Sequence, residues 1–172
     1  MSQTTLDIKE PGLNVLPPGV ERHVVNAGGL TGLQIFPDDE IEIINEEGNQ
    51  ICEIICFDKD GKSELGILNQ KENCKKSFIK ELLNGKNESS LITNLQLKKR
   101  NLDINKSKSS ILFDEQTPSG EKIKMKSKDK CYVIFAAPQN NMLVSEQNPS
   151  SDLTLFIKSC LLYTSDAADE MR

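Results

Sequence analysis

The chain has 172 residues, of which 37% are hydrophobic and only 5% aromatic, with no Trp and a formal charge of -5. Its length suits one domain, or one domain and the start of another, and 21 bases against 26 acids argue against nucleic acid or an anionic membrane as partner. There is no apolar run of about 18 residues and no basic-then-apolar leader at Met1-Ser2-Gln3-Thr4-Thr5, so a cytoplasmic protein with reduced cysteines is expected.

From Pro11 to Phe57 the pattern is that of strands. Leu16-Pro17-Pro18-Gly19 reads as a turn, proline fixing φ and glycine allowing φ > 0. A short strand is expected over Glu21 to Asn26, broken by Ala27-Gly28-Gly29. Gly28-Gly29-Leu30-Thr31-Gly32 is superficially like a phosphate loop, but Pro37 and more strand follow where a helix is needed. The segment is therefore read as a plain loop. Glu40 to Ile44 alternates, and Gln50 to Phe57 is apolar on both faces apart from Glu53. The two are expected to pair as a hairpin around Gly48, the second strand lying centrally in its sheet.

The middle of the chain is helical. Phe78, Leu82 and Leu83 have helical spacing over Asn73 to Leu83, with Gly85 placed to stop the helix. Ser89 or Ser90 is expected to cap a second short helix through Leu91, Ile92 and Leu95, ending near Lys98-Lys99-Arg100. Strands are expected again at 110–113, 122–127, 131–137 and 153–158. Together these give an α+β fold, mainly β: an antiparallel sandwich or barrel-like sheet with one or two short helices. Cys160 to Glu170 can be back-translated to a transposase-type sequencing adapter. The expected division is therefore a β-rich accessory domain over 1–159, the N-terminal fragment of a longer protein, and a non-native tail over 160–172.

No group of residues amounts to a catalytic or metal site. His23 is the only histidine and follows a turn in a partly exposed strand. Cys52 and Cys56 share a strand face about 13 Å apart, too far for one metal ion or a disulfide, and read as buried thiols. Lys122, Lys124, Lys126, Lys128 and Lys130 alternate without aromatic partners. That is the pattern of a solvated edge strand rather than a nucleic-acid platform. Glu53 stands inside an apolar strand, so if buried it needs a partner.

Leu16-Pro17-Pro18-Gly19, Ala27-Gly28, Ile41-Glu42-Ile43 and Glu47-Gly48-Asn49-Gln50 with Glu53 resemble the urea carboxylase-associated family. That family's later Cys and His residues have no counterpart here. Ala136-Ala137-Pro138 and Glu146-Gln147-Asn148-Pro149 before Asp152-Leu153 look like the N-terminal region of aminomethyltransferase-like relatives of the glycine-cleavage T-protein. The resemblance implies an accessory domain in front of a one-carbon transferase domain, its missing C-terminal partner. It also implies no cofactor in this fragment, and tetrahydrofolate in the parent protein. Asn49, Gln50 and Glu53 are the ligand-binding candidates it points to. A standalone small-molecule or partner-binding module, and a purely structural interaction domain, stay open beside it.

Overall fold

A computed structural model describes residues 16–73, 77–139 and 150–159. The expected tail over 160–172, Glu146 to Pro149 and Cys74 lie outside the described residues. Among the described residues, eight strands form two four-stranded antiparallel sheets. We number them β1 (Val20–Val25), β2 (Leu30–Ile35), β3 (Glu40–Asn45), β4 (Cys52–Asp58), β5 (Ser109–Phe113), β6 (Glu121–Lys126), β7 (Cys131–Ala136) and β8 (Leu153–Lys158). One sheet runs β1-β8-β3-β6 and the other β2-β7-β4-β5. This is the strand order of a jelly roll, two Greek keys folded into facing sheets. The mainly β, α+β expectation holds, in its sandwich form with open sheets rather than a closed barrel.

The expected hairpin does not form. β3 pairs with β6 and β8, and β4 pairs with β5 and β7; the chain between them is a corner that crosses from one sheet to the other. The physical reason lies in the faces. β3 alternates, with Ile41 and Ile43 buried and Glu40 and Glu42 turned outward, which suits a sheet covered on one side only. β4 is buried on both faces and needs a sheet covered on both. Among the described residues, the first sheet has the first property, and the second sheet, under the helices, has the second.

Two cores follow. Between the sheets lie Ile41, Ile43, Ile54, Phe135 and Leu155, all inaccessible to solvent, with their neighbours. On the far side of the second sheet, Ile55, Phe57, Tyr132 and Ile134 pack beneath two helices. These are α1 (Phe78–Leu83) and α2 (Glu88–Arg100). The cap of α2 is Asn87, whose Oδ1 accepts from Ser90 N at 2.8 Å, earlier in the chain than the expected serines. Its inward residues are Ser90, Thr93 and Leu97, whereas Leu91, Ile92 and Leu95 point to solvent.

Two further differences have local causes. Leu30-Thr31-Gly32, expected as loop, is the start of β2, and Gly32 serves packing rather than a turn. A Cβ there would stand 1.9 Å from Tyr132 Oη, so the ring from the neighbouring strand lies where a side chain would be. Lys122, Lys124 and Lys126 line the edge strand β6 as expected, but the strand stops at Lys126, so Lys128 and Lys130 are not part of that row. Among the described residues, no helix is long and apolar enough to cross a membrane.

Candidate functional site

Of the three ligand-binding candidates, two enter separate buried networks and the third stays at the surface. Glu53 is fully buried on β4. Its Oε2 accepts from Ser77 Oγ at 2.6 Å, and its Oε1 from the backbone N–H groups of Phe78 at 2.7 Å and Ile79 at 3.2 Å. Ser109 Oγ donates in turn to Ser77 Oγ at 3.3 Å. A carboxylate set in a strand thus satisfies the orphan donors that open α1 and fixes where that helix sits on the sheet. The expected need for a partner is met inside the fold.

Gln50, also fully buried, uses both ends of its amide. Nε2 donates to Ile51 O at 2.9 Å and Pro138 O at 2.7 Å, while Oε1 accepts from Ser151 N at 2.8 Å. Asn45 Nδ2 reaches its backbone oxygen at 2.8 Å. The side chain ties the sheet-crossing corner to the segments flanking β7 and β8. Asn49 is exposed, with φ at 59°, and its N–H donates to Thr117 O at 2.7 Å. Replacing Gln50 with alanine leaves Pro138 O and Ser151 N buried without that amide. We expect a loss of about 2–3 kcal/mol in a urea melt; a loss below about 1 kcal/mol would show that the corner holds without it.

The thiols are internal. Cys52, Cys56 and Cys131 are free and buried. Burial pushes the Cys52 thiol up, and the neighbouring Glu53 charge adds to it. Cys56 is pushed up first by its hydrogen bond with Cys131 and then by burial. The same bond holds Cys131 below the ordinary thiol value, with Ser127 helping and burial opposing. Pairing between β4 and β7 brings Cys56 and Cys131 together, which their distance in sequence concealed. His23 lies at the sandwich margin, its Nε2 3.2 Å from Glu21 Oε1. Among the described residues no group of three or more His, Cys, Asp or Glu is placed to hold a metal ion.

A cavity of about 610 Å³ lies over the face of the first sheet that is turned away from the second. Val20 and Phe156 give it an apolar floor, and Glu40, Glu42, Lys124 and Lys158 surround them. Glu42 pairs with Lys124 at 3.7 Å. Sequence reasoning missed this place, because its walls come from β1, β3, β6 and β8, and only the sheet order assembles them. A smaller basic hollow of about 240 Å³ holds Lys59, Arg100 and Lys130. There Arg100 lies 4.5 Å over the Tyr132 ring and donates to Gln34 Oε1 at 2.9 Å.

Comparison with known proteins corrects the functional expectation. No family model matches the chain. The chain is similar to trimethylamine-oxide aldolase of Ruegeria pomeroyi, 32% identical over 155 residues. The match takes in 90% of this chain and 20% of the relative, so the chain spans about a fifth of the length of the curated protein it matches. An aldolase relative overturns the aminomethyltransferase assignment. The absence of a family match leaves the urea carboxylase-associated resemblance without support. The quoted motifs are largely framework residues. Gly19 and Gly48 take positive φ, Pro17 O accepts from Val20 N and Ala137 O from Gly28 N, and Gln50 spans to Pro138. Residues that shape corners of a jelly roll report the fold.

Proposed function

We propose that the chain is a jelly-roll domain of a lyase of the trimethylamine-oxide aldolase type, one part of a longer polypeptide. The observation that carries this is the 32% identity running through 90% of the chain, a span too long to rest on one motif. The described residues contribute a frame and a pocket to such an enzyme. Glu53 and Gln50 are engaged in the frame, while the cavity over Phe156 and Val20, edged by Glu40, Glu42, Lys124, Lys126 and Lys158, has room for a small ligand. A cytoplasmic setting is the reading that the free thiols of Cys52, Cys56 and Cys131 support.

The test is direct. The polypeptide encoded by the intact gene is incubated with trimethylamine oxide, and the methyl signals of the substrate are followed by proton NMR beside a buffer control. Consumption above the control supports the proposal. A folded intact polypeptide that leaves trimethylamine oxide untouched overturns it.

A further inference from the structure

We propose that the outward face of α2 is a docking surface for another domain of the same polypeptide. The proposal rests on the proposed function, in which the chain is part of a longer protein. Leu91, Ile92 and Leu95 are 54%, 51% and 66% exposed. At i, i+1 and i+4 they form one contiguous aliphatic patch. The exposed Glu88 lies at one end of the patch, and Lys98 and Lys99 at the other. An apolar centre with a polar rim is the anatomy of an interface.

The orientation of the helix is fixed, so the patch is not a helix waiting to turn inward. Ser90 Oγ donates to Leu82 O at 2.6 Å, and Asn94 Nδ2 donates to Leu83 O at 2.8 Å. These bonds hold the more polar side of α2 against α1 and the sheet. Turning the aliphatic side inward would break them and bury the freed carbonyls. The helix therefore presents its larger side chains to solvent by construction, the reverse of an ordinary surface helix.

Size selects the occupant. Three aliphatic side chains at these exposures offer on the order of 300 Å², well short of the ~800 Å² that each partner gives to a stable interface between separate chains. A second copy of this chain would be held too weakly by such a patch. A domain tethered in the same polypeptide meets it at millimolar effective concentration and needs far less area. The relative has about four-fifths of its length outside the matched region, which is the material for such a domain.

The experiment compares maleimide labelling of an Ile92→Cys variant in the chain alone and in the intact polypeptide, with the labelled site read by mass spectrometry. We expect rapid labelling in the chain alone and at least tenfold slower labelling in the intact polypeptide. Adding Leu95→Glu to the intact polypeptide should restore the fast rate, and Leu95→Met should not. Equal rates in the two forms overturn the proposal. So does protection of the chain alone that grows with its concentration, which would identify a second copy, or that is present at every concentration, which would place a segment of this chain on the face. Labelling needs no turnover, so an intact polypeptide inert towards trimethylamine oxide can still show protection, and an active one can fail to.

Discussion

Replacing Glu53 with alanine will destabilise the domain by about 3–5 kcal/mol, because each buried donor left without an acceptor costs about 1–3 kcal/mol. Three donors, Ser77 Oγ and the N–H groups of Phe78 and Ile79, lose their acceptor at once. A cavity opens beside Ile55 and Ile79, both fully buried, and adds to the loss. Glu53→Gln keeps the volume and one carbonyl acceptor, and should cost about 1–2 kcal/mol. Urea melts of the two variants beside the parent measure both. If Glu53→Ala melts within about 1 kcal/mol of the parent, the carboxylate does not seat α1.

Gly48→Ala should cost about 3 kcal/mol, from left-handed backbone strain and overpacking together. Gly48 has φ at +80°, and a Cβ there would stand 2.7 Å from Ser119 N and 3.0 Å from Thr117 O. Those are backbone atoms with no rotamer to escape into. They are also held in place, because Asn49 N donates to Thr117 O and Gly120 N to Asn45 O. Gly120 supplies the control: its φ is +81°, but nothing lies within 4 Å of the point where a Cβ would stand. Gly120→Ala should therefore show the strain alone, about 1 kcal/mol. The difference between the two melts isolates the contact with the 117–119 segment, and equal losses would mean that the contact relaxes freely.

The strands were legible because each carries its own period. Ile41 and Ile43 alternate with Glu40 and Glu42 along one strand, and the doubly apolar run from Cys52 to Phe57 marks a strand covered on both sides. Their partners were not legible. Two adjacent alternating strands joined by a glycine loop look like a hairpin whether they pair with each other or diverge into facing sheets. The deciding partners, β6 and β8 for one and β5 and β7 for the other, lie far along the chain. The side of α2 that faces inward was hidden for a related reason. Hydrophobicity favours Leu91, Ile92 and Leu95, but the hydrogen bonds of Ser90 and Asn94 to carbonyls at the end of α1 decide the rotation. Of the candidate site, Glu53 was visible as a buried acid in need of a partner. The pocket over Phe156 was invisible, since no local pattern announces four strands meeting.

The place of β8 sets an order on folding. It is the last of the eight described strands to be made, yet it lies between β1 and β3 and hydrogen-bonds to both, joining Val20 to Lys158 at one ladder and Ile43 to Leu155 at the other. On a ribosome the first sheet cannot close until residues 153–158 have emerged. Until then β1 and β3 each present an open edge that invites pairing with other chains. The second sheet and its helices use only strands made earlier, up to Ala136, and can form ahead of it. A jelly roll of this order thus completes its core late, through contacts between strands far apart in sequence, the kind of topology that folds slowly.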